Sequence, residues 1–334
     1  MSWLLTMHHR RYLSVFLLLV VGLGGLWPFP SRADNNAREL WALLDNSHEQ
    51  ARALTYSGLL LTQSGEFTQA SKLLHQSGQS GEFEVLERLD GPSAKWVRHN
   101  EDIQCILPDK KLVLSEKRQT SVAFPRLLSN PDGTSMLVKL YDIREAAAKR
   151  VAGRSTRVIQ LTPKDDLRYG YRFYLDRQRN LLLRSELFSS KGEVLEHVGF
   201  TEINFDADQV IKPEMPQAGP GWKVTSTEIK VLKDGELSYS LPDIFVGFKR
   251  SDTLCRIRGK ESQIHQTLYT DGLSSVSVFI QKANDGHSMP QAPISHGAVM
   301  SRSEVQGQHL VTVLGEVPEK TLGLFLKSVR WKSQ

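Results

Sequence analysis

Two cysteines in 334 residues are too few for a disulfide-rich scaffold, and neither Cys105 nor Cys255 has a second Cys or His at ligand spacing. Histidine is scattered beyond residue 33, at His48, His75, His99, His197, His265, His287, His296 and His309, with no HExxH pair. GxSxG, SxxK, GxGxxG and Walker patterns are absent, which leaves hydrolase and nucleotide chemistry without support. Asp165-Asp166 and Asp206 with Asp208 read as turn acids rather than metal ligands. No catalytic, cofactor or metal residue is therefore assigned, and the chain is not expected to be an enzyme. No long apolar run follows the one near the N-terminus, so nothing in residues 34–334 reads as a membrane span.

That one run, Tyr12 to Leu26, follows Arg10 and Arg11 and leads to the small-residue site Ser31-Arg32-Ala33. It reads as a signal peptide over 1–33, because it is shorter than the roughly 20 apolar residues of a spanning helix. Removal would take away three positive charges and no acids, lowering the formal charge from +5 to about +2. Such a balance gives no general attraction to nucleic acid, so any preference for anions must be local. Export also places the thiols in an oxidising compartment. Cys105 and Cys255 then either pair, closing a loop of about 150 residues worth on the order of 5 kcal/mol, or stay separately buried. The expectation is the disulfide.

Beyond the leader, Leu40, Trp41, Leu43 and Leu44 predict a helix from Asn35 or Asn36 to about Arg52. From Thr55 the period shortens to that of strands. Turns at Ser64-Gly65-Glu66, Asp90-Gly91-Pro92, Asp176 to Asn180 and Ser190 to Gly192 divide a long antiparallel sheet ending near Asn204. Pro213, Pro216, Gly219, Pro220 and Gly221 mark a linker, and a closing helix is expected over about Pro318–Val329. The organisation is a sheet domain over 34–207, a linker over 208–221 and a smaller α+β domain over 222–332.

A long sheet that does not close can leave an apolar cavity under its helices, and Leu59, Leu61, Phe83, Trp96, Ile106, Leu140 and Phe173 are candidates to line it. Ordinary core is the other reading of the same residues. In the second domain Lys249, Arg250, Arg256 and Arg258 could receive an acidic partner, with Tyr269 and Phe279 as aromatic anchors. A solvated loop and two core strand residues are the alternative.

Leu86-Glu87-Arg88-Leu89-Asp90-Gly91-Pro92, Arg168-Tyr169-Gly170-Tyr171, Leu181-Leu182-Leu183-Arg184-Ser185, Leu268-Tyr269-Thr270-Asp271-Gly272-Leu273-Ser274 and Val311 to Pro318 together resemble the RseB/MucB family of sigma-E stress-response regulators. The resemblance runs in order along essentially all of residues 34–334. It implies an unclosed barrel like those of LolA and LolB, mainly antiparallel β with helices, followed by a smaller α+β domain. It further implies a periplasmic protein that binds the periplasmic region of an RseA/MucA-like transmembrane anti-sigma factor and shields it from site-1 proteolysis. Lipopolysaccharide or lipoprotein acyl chains would prompt release, and the chain could self-associate. A lipid or lipoprotein carrier is the competing reading of the same cavity.

Overall fold

Leu40, Trp41, Leu44 and Ala51 recur at helical spacing, and helix α1 spans Arg32–Ala53 with those four side chains buried on one stripe. The structure is a computed structural model that describes residues 32–117, 124, 134–205, 215–226, 229–258, 262–283 and 291–332. Residues 1–31 of the expected leader lie outside the described residues, as do residues 208–214 of the expected linker and the side chains of Arg256 and Arg258. Helix α1 runs through Asn35 and Asn36 instead of starting at them.

Where the period falls to two, the chain folds into a long sheet. Its first half comprises β1 (Tyr56–Ser64), β2 (Phe67–Gly78), β3 (Gly81–Arg88), β4 (Lys95–His99), β5 (Asp102–Leu107) and β6 (Leu112–Lys117). After a single helical turn, α2 (Leu137–Leu140), come β7 (Tyr141–Ala146), the short β8 (Arg150–Val151), β9 (Arg154–Pro163), β10 (Gly170–Asp176), β11 (Leu182–Phe188) and β12 (Val194–Asn204). Among the described residues the order is β13-β6-β5-β4-β3-β2-β1-β12-β11-β10-β9-β7, where β13 is Lys223–Ser226. The central seam is β1 against β12, the first and last long strands, and the two ends do not pair, so the sheet stays open. Neighbours are antiparallel except β13, which runs parallel to β6 at one edge.

The second sheet holds β14 (Ile229–Leu232), β16 (Ile244–Phe245), β17 (Phe248–Arg258), β18 (Ser262–Thr270), β19 (Ser275–Lys282), β20 (Gln291–His296), β21 (Val299–Gln306) and β22 (His309–Gly315). A two-stranded ribbon, β15 (Tyr239–Ser240) with β23 (Arg330–Trp331), lies beside it. Helix α3 (Glu319–Leu326) follows Pro318 and presents Leu322, Phe325 and Leu326 to the sheet. Phe325 packs edge-on against Phe245, Phe248 and Tyr269.

β13 and β14 follow one another closely in the sequence, yet they join different sheets. The basic run from Lys249 looks like a loop, yet β17 passes through it to Arg258, with Thr253 and Cys255 buried and the alternating Asp252 and Leu254 less so.

Candidate functional site

Because directly opposed residues in an antiparallel ladder share a face, the registers sort the sheet's side chains into two sets. Leu73, Leu86, Trp96, Cys105 and Leu114 oppose one another across five successive strands, β2 to β6. Leu73 is buried in the cluster that includes Ala51 of α1, Tyr56, Leu60 and Phe200, so this row belongs to the helix-covered face. Helix α1 caps only part of that face. Leu86, Trp96, Cys105 and Leu114 remain half-buried, forming an apolar strip beyond the helix.

A second row, Tyr56, His75, Glu84, Arg98 and Ile103, runs alongside it. Arg98 is buried and donates to Glu82 at 3.1 Å and Glu84 at 3.2 Å, while Arg52 of α1 donates to Glu82 at 2.8 Å. His75 lies 2.8 Å from the Leu54 carbonyl and stacks on Tyr56. These contacts fasten the C-terminal end of α1 to the sheet, leaving the strip beside it uncovered by that helix. The strip offers aliphatic surface and the Trp96 indole, over which the Arg88 guanidinium lies 5.6 Å from the ring centre, so it can accept an acyl chain or apolar side chain whose end is anionic or polar.

The cavity candidates divide between the two faces. Trp96 lies in the strip. Phe173 is buried under α1 with Leu40 and Trp41, and Leu140 packs at the edge of the same cluster. Leu59 and Leu61 alternate with Leu60 and so point away from the helix, Leu59 being 36% exposed. Phe83 and Ile106 are buried on that other face with Val97 and Val113, beneath Met215 and Trp222 of the connecting segment. Alternation marks both sets equally, and the strip's other members, Leu86, Cys105 and Leu114, become visible only through the registers.

Among the partner candidates, Tyr269 is fully buried and its hydroxyl donates to the Pro242 carbonyl at 2.6 Å, so it is a core residue and not an exposed anchor. Phe279 is half-buried and lies on the opposite face of the second sheet, next to Gln266 and Thr312. Arg250 is already engaged, donating to both carboxylate oxygens of Asp234 at 2.9 and 2.7 Å and to Asp243 at 2.6 Å. Those acids hold its guanidinium charged far above neutral pH. Lys249 is exposed at the start of β17. The expected disulfide is absent: Cys105 lies in β5 and Cys255 in β17, in separate sheets.

The two sheets meet at a polar seam that the sequence does not announce. Arg168 is buried over the rings of Phe248 and Tyr141; it donates to Asp271 at 2.7 Å, to Asp165 at 3.0 Å and to the Val246 carbonyl at 2.7 Å. Burial opposes its charge, but Asp165 and Asp271 outweigh that effect and raise its pKa. Tyr141 also donates to Asp271, at 3.0 Å, and burial together with that carboxylate pushes the phenol well above its ordinary value. Tyr171 and Ser274 share a hydrogen bond of 2.8 Å, and Thr321 donates to the Leu167 carbonyl at 2.6 Å. Ala298 and Leu273, from turns of the second sheet, pack into the α1 cluster and close one end of the first sheet's covered face.

Comparison with known proteins matches the MucB/RseB N-terminal domain to residues 39–219 and the MucB/RseB C-terminal domain to residues 233–330. The sigma factor AlgU regulatory protein MucB of Pseudomonas aeruginosa is 29% identical over 324 residues, spanning 93% of this chain and 96% of that protein. The sigma-E factor regulatory protein RseB of Escherichia coli K12 is 22% identical over 292 residues, 87% of this chain and 90% of that protein. A crystal structure of MucB in complex with MucA(peri) superposes with a TM-score of 0.65 at 25% identity, covering 89% of this chain and all of that one. A second structure, of the Pseudomonas aeruginosa MucA/MucB complex, gives 0.67 at 26% identity over the same shares.

Proposed function

Since the chain belongs to the MucB/RseB family, we propose that it is a periplasmic negative regulator of a sigma-E-type envelope stress response. In this reading it binds the periplasmic region of a transmembrane anti-sigma factor, protects it from site-1 proteolysis, and lets go when an amphiphile such as lipopolysaccharide or a lipoprotein occupies the first domain. One observation carries the proposal: both domains align end to end with MucB, a protein crystallised with MucA(peri). The half-buried strip at Leu86, Trp96, Cys105 and Leu114 supports the sensing part, because it offers an apolar surface that helix α1 does not fill.

The strip equally favours a lipid carrier, so the two readings need an experiment. The processed chain, mixed with the periplasmic fragment of the anti-sigma factor from the same bacterium, should co-elute in gel filtration and slow cleavage of that fragment by the site-1 protease. Added lipopolysaccharide should dissociate the complex. Lipopolysaccharide binding with no measurable complex would sink the regulator reading in favour of the carrier.

A further inference from the structure

On the face of the first sheet that points away from α1, strands β1, β12 and β11 set Gln63, His197 and Glu186 side by side, and Arg184 stands next to that row opposite Gly199. A cavity of about 240 Å³ opens there, with Gln63, Arg184 and His197 as polar lining and Val194 and Leu195 as apolar wall. Arg184 is built into its place. A Cβ at Gly199 would come within 2.9 Å of the Arg184 Cβ and Cγ, so the glycine lets that stem lie against β12. The guanidinium pairs with Glu186 at 3.0 Å and sits 5.7 Å from the centre of the Tyr174 ring. Glu186 also accepts from Arg172 at 2.7 Å, so two guanidiniums share one carboxylate and a positive charge is left over. The Arg184 Nε–H is buried and has no hydrogen-bond partner among the described residues. A buried donor left unpaired carries a desolvation cost that an incoming acceptor relieves. Glu196 also borders the cavity, but it alternates with His197 along β12, and its carboxylate accepts from Ser64 at 2.7 Å.

We propose that this cavity binds a carboxylate group, seated between Arg184 and His197 with its aliphatic substituent against Val194 and Leu195. A charge-assisted bond to the Arg184 Nε–H would hold it. The single leftover charge suits a monoanion better than a phosphate dianion, whose second charge Glu186 and Glu196 would oppose. Both a short fatty acid and the C-terminal residue of a peptide carry such a group. The cavity and the apolar strip occupy opposite faces of the sheet, so occupancy of one does not require the other. His197 faces Gln63 of β1 on one side and Glu186 and Arg184 of β11 on the other. Burial first and Arg184 second hold its pKa below the ordinary value, with Glu186 opposing them. A bound carboxylate would favour the imidazolium, so the complex would hold that proton more tightly than the free protein. Affinity should then rise as pH falls.

In the purified full chain the imidazole NMR signal of His197, assigned by its loss in His197→Gln, reads occupancy of the cavity. The probes are butyrate, an N-acetylated alanyl-alanyl-valine with a free carboxylate, and the amide of that peptide, all at constant chloride. The two acids should shift the signal saturably and the amide should not; a tenfold lower Kd for one acid names the source. That Kd should fall about tenfold from about pH 8 to about pH 5.5, the scale of one unit of pKa change. Arg184→Gln should lose the binding. His197→Gln leaves Arg184 in place and should bind with a Kd that no longer depends on pH, read by calorimetry, so the test survives if the Arg184 variant misfolds. No shift with either acid, an equal shift with the amide or with chloride alone, or binding retained in a folded Arg184→Gln would overturn the proposal.

Discussion

At the residue scale, Arg168 and Asp271 are 103 positions apart, and neither side chain is exposed to solvent. In the sequence Arg168 is one basic residue beside a turn. Its role depends on a partner that only folding brings within 2.7 Å. A buried pair contributes little against an apolar substitute, whereas removing one member strands the other charge and costs about 3–5 kcal/mol. Asp271→Asn and Arg168→Met should each lower unfolding stability by roughly that amount in urea titrations, and Arg168→Met with Asp271→Leu should recover part of it. Gly297 is constrained in another way: a Cβ there would run into the Ser64 hydroxyl at a positive φ. Gly297→Ala should therefore lower the melting temperature, and combining it with Ser64→Gly should restore part of the loss by relieving the clash but not the backbone strain.

Strand alternation operates at the scale of the element, and it specifies two faces without saying which one the helix covers. Leu59 and Leu61 carry the same local signal as Leu60, yet only Leu60 joins the cluster beneath α1. The ladder registers decide, because pairing Leu86 to Trp96 and Trp96 to Cys105 carries the covered face across the sheet to Leu114. A charge in the strip should oppose an acyl chain, while one on the other face should not. Trp96→Asp is expected to weaken displacement of a fluorescent acyl probe by lipid A about tenfold or more, whereas Leu61→Asp leaves it unchanged, with melting curves run on both. Equal losses in the two variants would remove the strip as the binding surface. Helix α1 is held by burial, so Leu44→Ala should cost about 2–5 kcal/mol by leaving a cavity against the sheet.

At the scale of the whole molecule, β13 continues the first sheet after the chain has left β12, pairing in parallel with β6. A fragment covering 34–226 should accordingly melt above one covering 34–207, which lacks both that edge strand and the Met215 and Trp222 cover over Phe83 and Ile106. Cys105 and Cys255 lie in separate sheets, so both thiols should react with an alkylating agent after denaturation without reductant, as read by intact mass. The sequence by itself determined the strand and helix grammar: β12 falls on Val194–Asn204 as its alternation and flanking turns predict, and α3 follows its proline. It also carried the family, through segments that are individually common and jointly specific. Those signals are local, set by side-chain period and turn chemistry within a few residues. Tertiary structure alone decided which phase of each strand meets α1, that Tyr269 is core, that Arg250 is already paired, and that Arg168 meets Asp271. Each of these depends on a partner brought close by sheet register or by domain contact, and spacing along the chain does not encode that distance.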